Sequence, residues 1–168
     1  VRYGNVIGSR GSILPLFKTQ ANKNQFTLTH KNMTRFNITL EDGVNYVFSC
    51  LNKMIGGELF VPKLKSFKVK DMIYAMNSNP NIKIIGTRPG EKIHEELVTT
   101  TDSVNTLEFK NEFIVFPNLP NLGMEISDYQ KKSSYYKSGK YCNEKFSYNS
   151  FTNNKYLTIK DLKKLIAD

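Results

Sequence analysis

The chain has few of the residues from which many enzymes build a metal or nucleophilic centre. It contains only two cysteines, Cys50 and Cys142, and only two histidines, His30 and His94. These four residues lack the spacing of metal ligands. No Ser/His/Asp or Cys/His arrangement indicates nucleophilic catalysis. Because the cysteines are irregularly spaced and no secretory signal is visible, we expect free thiols in a reducing, cytoplasmic compartment.

Phosphate-binding fingerprints and long apolar runs are missing as well. Neither GxGxxG nor GxxxxGK[ST] occurs, so the sequence carries no phosphate-cradling loop of its own. No apolar run approaches the length of a membrane span. Hydrophobic residues make up 39% of the 168 residues, which is typical of a soluble globular domain. The sequence begins at Val1, without methionine and inside a strand-like pattern, so we expect a truncated or split chain.

Positive charge, in contrast, is in excess. Lysine and arginine number 24 against 15 acidic residues, for a net charge of +9, which permits a nucleotide or nucleic acid as partner. Much of the excess is spread among Asn, Ser and Tyr in the final third, which favours solvated lysines. A basic nucleic-acid-binding module stays an alternative, with phosphate contacts at Lys131, Lys132, Lys137 and Lys140. No nucleic-acid fold signature accompanies the charge, so we expect no nucleic-acid partner.

The stretch 81–97, NIKIIGTRPGEKIHEEL, is the most informative part of the sequence. Isoleucines at 82, 84 and 85 predict a buried strand, and the segment 86–90 ends it with two glycines and a proline. From Ile93 onward, apolar residues four apart predict a helix that includes Leu97. Arg88 and Glu91 therefore lie on a predicted strand-to-helix turn.

Such a turn is a common ligand site, because open α/β sheets bind ligands at the carboxyl ends of their strands. The guanidinium fork of Arg88 suits a phosphate or carboxylate, and the carboxylate of Glu91 suits sugar hydroxyls. The alternative is an ordinary surface ion pair between the two side chains.

A second candidate site lies near the start of the chain. The pattern predicts a strand over 1–8, a loop, and a helix beginning at Ile13 with Ser12 as its N-cap. Asn5 and the following small and basic residues would lie at one sheet edge, where ligand can approach the backbone closely. A plain strand–loop–helix connection is the alternative.

The remaining pattern predicts an α/β fold, because strands and helices alternate as far as residue 97. Strands are predicted at 25–29, 36–40 and 58–62, and helices at 40–54 and within 66–76. Residues 105–117 read as strand and residues 118–154 as loop. A capping box of Thr158 with Asp161 predicts a terminal helix.

Five stretches of the chain resemble the C-terminal half of the configuration-inverting UDP-N-acetylglucosamine 4,6-dehydratases. These are VRYGNVIGSRGSILPLF, MTRF followed by ITLEDGV, GGELFVPK, IIGTRPGEKIHEEL and FSYNSFTNNKYLTIKDLKKLI. The resemblance implies the C-terminal part of a Rossmann-type extended short-chain dehydrogenase/reductase. It assigns residues 1–20 to the end of the NADP-binding domain and residues 21–168 to the substrate-binding lobe with its terminal helix.

The resemblance also implies a reaction. Enzymes of this family use NADP to oxidise the sugar at C4, remove the C5 proton, expel the C6 hydroxyl and return the hydride to C6, with inversion at C5. Their products feed bacterial surface glycans or flagellar sugars such as pseudaminic acid. The dinucleotide motif and the catalytic groups lie upstream of Val1, so the chain alone should be inactive and should hold no catalytic residue.

By the same resemblance, four residues should contact the UDP-sugar: Asn5, Arg35, Arg88 and Glu91. The cofactor should lie along Val6, Ile7, Gly8, Ser9 and Arg10. The implied partners are the N-terminal Rossmann half and further copies of the complete enzyme. His30 and Asn37 depart from the family pattern, which has Asp and an aromatic residue at these positions. A UDP-sugar 4-epimerase or a configuration-retaining dehydratase of the same family is the nearest alternative.

Overall fold

The structure is a computed structural model that describes residues 1–117 and 125–167. The helices of this part are α1 (Ile13–Ala21), α2 (Leu40–Leu51), α3 (Val69–Met76), α4 (Thr100–Ser103), α5 (Ile126–Lys132), α6 (Ser134–Lys137) and α7 (Ile159–Ala167). The strands are β1 (Asn5–Val6), β2 (Gln25–Leu28), β3 (Thr34–Ile38), β4 (Leu59–Pro62), β5 (Lys65–Lys68), β6 (Asn81–Ile84), β7 (Glu96–Val98), β8 (Thr106–Glu108), β9 (Glu112–Val115), β10 (Lys140–Tyr141) and β11 (Tyr148–Asn149). The predicted α/β class is therefore confirmed.

The described chain forms two compact units. Unit 1 contains residues 1–3, 41–63 and 96–148, and unit 2 contains residues 4–40, 64–95 and 149–168, with the undescribed residues left aside. The predicted division between residues 20 and 21 concerns the complete enzyme and stays a prediction. No helix of the described residues is long and apolar enough to cross a membrane.

Unit 1 is built on the antiparallel sheet β10-β8-β9-β4. Its core includes Phe60, Ile114 and Tyr136. The buried carboxylate of Glu112 accepts hydrogen bonds from the Tyr46 hydroxyl (2.7 Å), the Lys53 ammonium (2.6 Å) and the Tyr135 hydroxyl. A buried charge with this many donors stabilises the link between β9 and its helices, because each polar atom is satisfied.

Unit 2 holds every residue that the sequence assigned to a ligand. Its three-stranded sheet has the order β1-β3-β5, with β1 parallel and β5 antiparallel to β3, and the parallel pair β2-β6 lies apart from it. The core forms between the strands and helices α1, α3 and α7. Gly4 permits the close approach of β1 to β3, because a Cβ at this position would collide with Phe36.

Five sequence predictions are corrected by the structure. The strand predicted over 1–8 contains only Asn5 and Val6, which pair with β3. The strand near 82–85 exists as β6, but Ile84 and Ile85 are about half exposed instead of buried. The segment 105–117 is a hairpin of β8 and β9, and not one strand.

The largest corrections concern the predicted loop over 118–154 and the predicted helix from Ile93. Residues 118–124 lie outside the described residues, but the rest of the loop contains α5, α6, β10 and the strand β11. The segment 93–95 is a bend that continues into strand β7, so the helix prediction is wrong. The hydrogen bonds that Arg35 makes to this segment are described below. At the chain's end, the Thr158–Asp161 capping box is confirmed, with backbone N–H bonds of 2.9 and 3.2 Å.

Candidate functional site

Strand β3 is the base of the candidate site. Its burial alternates, so that Thr34, Phe36 and Ile38 are buried, whereas Arg35 and Asn37 lie on the other, partly exposed face. The parallel register pairs Asn37 with Asn5 of β1. Polar side chains from two neighbouring strands are thereby placed on one face of the sheet.

Arg35 binds the segment 92–95 that follows the 86–91 turn, and these contacts are called the Arg35 clamp below. Its Nη1 donates to the carbonyl oxygens of Thr34 (2.7 Å) and Ile93 (3.0 Å), and its Nη2 donates to that of Lys92 (2.9 Å). In a helix, these carbonyls would accept from residues four positions later. Here the carbonyls of Lys92 and Ile93 accept from the guanidinium, and residues 93–95 form a bend instead of the predicted helix.

Glu95 lies on the same clamp and was missed by the sequence analysis. Its Oε2 accepts from the backbone N–H of Phe36 (2.8 Å), and its Oε1 lies 3.9 Å from Arg35 Nε. Burial raises the pKa of Glu95, whereas the Phe36 N–H and the charge of Arg35 act to lower it. Burial likewise lowers the pKa of Arg35, opposed by Glu95 and Glu91. A guanidinium remains protonated under such shifts, so Arg35 carries its positive charge beside Glu95.

A chain of hydroxyl groups fastens the other side of this segment. The Thr34 hydroxyl lies 2.8 Å from His94 Nδ1 and 2.7 Å from the Ser150 hydroxyl, which in turn accepts from Glu95 N–H (2.9 Å). The His94 ring also packs against Phe151, with 4.6 Å between the ring centroids. Burial lowers the pKa of His94, as do the charges of Arg35 and His30. Residues 92–95 are therefore fixed from both sides.

The 86–91 turn presents Arg88 on a closed loop. Gly86 and Gly90 have φ of +83° and +80°, which favours glycine at both ends of the turn. The Glu91 carboxylate accepts from the backbone N–H of Arg88 (3.1 Å) and from the Thr29 hydroxyl (3.1 Å). Among the described residues, no hydrogen bond or ion pair holds the Arg88 guanidinium, and its side chain is exposed. The alternative of a surface ion pair between Arg88 and Glu91 is not what the described structure contains.

The loop after β1 carries the predicted cofactor residues. Val6 and Ile7 are partly buried beside β3, where Ile7 N–H donates to the Ile38 carbonyl (3.0 Å), while Gly8, Ser9 and Arg10 are exposed. The loop then turns tightly into α1, since Ser12 N–H donates to the Ser9 carbonyl (3.0 Å). Ser12 is the N-cap residue, as predicted, but its side chain makes no capping hydrogen bond.

All predicted site residues thus belong to unit 2, and most are connected. Arg35 binds the segment that Glu91 precedes, and Glu91 shapes the turn that carries Arg88. Asn5 lies on the same sheet as Arg35, beside Asn37. The sequence analysis did not predict Glu95 or the contacts of Arg35, because the acceptors of Arg35 are backbone atoms that leave no sequence signal.

Known proteins are similar in sequence to most of this chain. The chain is 41% identical over 168 residues to a UDP-N-acetylglucosamine 4,6-dehydratase (inverting) of Campylobacter jejuni, in an alignment that covers 98% of this chain and 49% of that protein. It is also 37% identical over 117 residues to a UDP-glucose 4-epimerase of Rickettsia bellii, covering 67% of this chain and 34% of that one. The chain spans about half the length of the dehydratase that it matches.

A solved structure has the same fold. The X-ray structure of Pen from Bacillus thuringiensis superimposes with a TM-score of 0.77 at 30% identity, over 98% of this chain and 48% of that one. This agrees with the prediction of a partial Rossmann-type short-chain dehydrogenase/reductase. The sequence pattern of the family described as polysaccharide biosynthesis protein matches residues 1–117, which include β1, the Arg35 clamp and the Arg88 turn. This chain therefore belongs to the polysaccharide biosynthesis protein family.

Proposed function

We propose that the chain is the substrate-binding part of an inverting UDP-N-acetylglucosamine 4,6-dehydratase. The observation that carries the proposal is the Arg88 turn, whose backbone is bonded to Glu91 while its guanidinium has no partner among the described residues. An exposed guanidinium without a protein partner is available to an anionic ligand. The relative from Campylobacter jejuni, which aligns with nearly all of this chain, acts on such a nucleotide sugar by its name.

Each predicted ligand residue has a role that its geometry allows. Arg88 would meet two oxygens of the diphosphate as a bidentate fork. Glu91 would accept sugar hydroxyls on the lone pairs that its two present bonds leave free. Arg35 would contribute its positive charge and the remaining N–H of Nη2, since its Nη1 is bound to two carbonyls. Asn5 would contact the sugar from β1.

The loop 6–10 would form one edge of an NADP site. Space is open above Gly8, where an added Cβ would meet nothing within 4 Å, and the Arg10 side chain is exposed. These features fit a cofactor that lies along the loop, while the phosphate-binding loop would come from elsewhere. When bound, NADP would take up the hydride of C4 and return it at C6. The residues of this chain would exclude water and orient the sugar beside it.

The other half of the enzyme would pack against unit 1. The matched dehydratase is about twice as long as this chain. On α2, Val44, Phe48 and Leu51 form an apolar stripe whose side chains are 45%, 62% and 57% exposed. Exposed apolar stripes of this kind mark interaction surfaces. We infer that an N-terminal Rossmann half covers the stripe, and that the complete enzyme is cytoplasmic and oligomeric.

A UDP-sugar 4-epimerase is the second candidate, because the epimerase of Rickettsia bellii shares the region of the Arg88 turn. Its alignment covers 67% of this chain, whereas that of the dehydratase covers 98% and includes the terminal segment with α7. The extent of the alignment therefore favours the dehydratase.

Activity of a reassembled enzyme tests both candidates. The chain would be mixed with the N-terminal half of the Campylobacter jejuni dehydratase and with NADP, and then incubated separately with UDP-N-acetylglucosamine and UDP-glucose. A 4-keto, 6-deoxy product from the first substrate is expected. Interconversion of the sugars at C4 without loss of water would favour the epimerase, and turnover by this chain alone would contradict the assignment of the catalytic groups to the other half.

A further inference from the structure

A small, partly open cavity lies in unit 2, between β1, β3 and the start of α1. Its polar lining consists of Asn5, Ser12 and Asn37, and its floor includes Phe67 and Met72. Its volume is about 10 Å³, about the room that one water molecule requires. The cavity is therefore large enough for a single oxygen and its hydrogens.

Two buried oxygens of this lining lack a hydrogen-bond partner. Among the described residues, Asn5 Oδ1 and Ser12 Oγ are the buried side-chain atoms without one. Ser12 is the N-cap of α1, but its hydroxyl does not cap the helix. Buried polar atoms in native proteins nearly always have a partner, and an orphaned pair on one cavity indicates that a small polar group binds there.

The chemistry of the lining restricts that group. The amide oxygen of Asn5 is an acceptor, and the Ser12 hydroxyl can accept or donate. The lining residues are amides, a hydroxyl and apolar side chains, without a charged residue. A phosphate or carboxylate would meet the Asn5 oxygen unfavourably, and a cation would find no counter-charge. The best match is a neutral O–H group.

We propose that this cavity binds one hydroxyl-sized group, which donates a hydrogen bond to Asn5 Oδ1 and bonds to Ser12 Oγ beside Asn37. The inference rests on the proposed function for its ligand: a hydroxyl of the nucleotide sugar enters the cavity, and water takes the same place when no ligand is bound. Ser12 and Asn37 thereby join Asn5 in the substrate site, as residues that select for a hydroxyl at one position of the ligand.

Oxygen-17 relaxation dispersion, which counts long-lived internal waters, tests the proposal on the full chain. Two variants should each hold one such water fewer than the wild type. Ser12→Thr retains a good N-cap residue and fills the cavity with a methyl group. Asn5→Leu replaces the acceptor by an apolar side chain of similar size. Thr19→Ala, which removes an exposed hydroxyl elsewhere on α1, is the control and should leave the count unchanged.

Saturation with UDP or UDP-N-acetylglucosamine then identifies the source of the hydroxyl. Loss of one water with the nucleotide sugar alone assigns the cavity to a sugar hydroxyl, and loss with both ligands assigns it to the uridine part. An unchanged count with bound ligand would contradict the entry of a ligand hydroxyl into the cavity. Equal counts in the wild type and both variants without ligand would overturn the proposal. If neither ligand binds, the proposed function fails. The water counts of the wild type and the two variants without ligand still show whether the cavity binds a hydroxyl-sized group.

Discussion

Arg35 supports the fold in addition to its proposed contact with the ligand, whereas the proposed role of Arg88 is ligand binding alone, and mutation can separate the two roles. We expect Arg35→Ala to destabilise the fold, whereas Arg88→Ala should leave the stability unchanged and weaken the binding of the substrate. Arg35 makes three hydrogen bonds to backbone carbonyls and faces Glu95, with a side chain only 11% exposed. The Arg88 side chain is exposed and without a bond or ion pair in the described part of the chain.

The magnitudes follow from these contacts. Hydrogen bonds of charged groups contribute about 1.5–3 kcal/mol each. After Arg35→Ala, the exposed Lys92 carbonyl can bond to water instead, which recovers part of the loss. We therefore expect a net loss of about 3 kcal/mol in the free energy of unfolding. For a chain of this length, that lowers Tm by roughly 6–12 °C. Arg88→Ala should change the free energy of unfolding by less than about 0.5 kcal/mol. Loss of its diphosphate fork should raise KM roughly ten- to a hundredfold, with kcat little changed because the diphosphate is remote from the reacting carbons.

Thermal melts of the chain and steady-state kinetics of the reassembled enzyme would measure both effects. The lysine variants sharpen the comparison: Arg35→Lys should still melt early, because one ammonium cannot reach three carbonyls, and Arg88→Lys should lose less than Arg88→Ala. If Arg88→Ala lowers Tm as much as Arg35→Ala, or keeps the wild-type KM, Arg88 has no role in holding the diphosphate.

Three further outcomes are expected. The fold lowers the pKa of His94 below its usual 6.5, mainly by burial and then by the charges of Arg35 and His30, so the imidazolium is disfavoured in the folded state. The contribution of neutral His94 to stability should therefore be complete above pH 6.5 and be lost as the pH drops through the folded pKa. In urea titrations across this range, the free energy of unfolding of His94→Asn should depend less on pH than that of the wild type. Phe48→Lys, on the exposed stripe of α2, should weaken binding of the N-terminal half about tenfold or more in a calorimetric titration, whereas Tyr74→Lys, on an exposed position of α3, should not. Equal losses in these two variants would contradict the assigned surface. Finally, UDP should bind the chain without competition from single-stranded DNA at physiological salt; a tight, salt-dependent DNA complex would favour the nucleic-acid module.

Much of the fold was accessible from periodicity. The alternation of apolar and polar residues over 36–40 predicted a half-buried strand, and the structure has a half-buried strand, β3, that begins and ends two residues earlier. The start of α1 and the terminal capping box were predicted because their signals are local, within three or four residues of one another. Elements whose formation depends only on near neighbours in the chain were therefore predicted well.

The failures have the opposite character. The exposure of Ile84 and Ile85 depends on which elements cover β6, and no pattern within the strand records this. The short helices α5 and α6 lie in a Tyr- and Lys-rich stretch without a sustained period. They are held by buried aromatic side chains such as Tyr129 and Tyr136, which belong to the core of unit 1. Tertiary packing decided these elements, and local propensity did not.

In the segment 92–95 of the candidate site, a local helix signal competes with tertiary contacts. Its sequence has the apolar spacing of a helix, yet the carbonyls that a helix would use are bound by Arg35, and both the N–H and the carbonyl oxygen of Glu95 are bonded to Ser150. A charged donor from β3 can outweigh helix propensity, because propensity differences are below about 1 kcal/mol per residue whereas each charged hydrogen bond contributes more. The turn before this segment is closed by the bond from Arg88 N–H to Glu91, and the Arg88 side chain is exposed. The contacts that sequence patterns missed at this site therefore join residues that are far apart in the sequence, as Arg35 and residues 92–95 are.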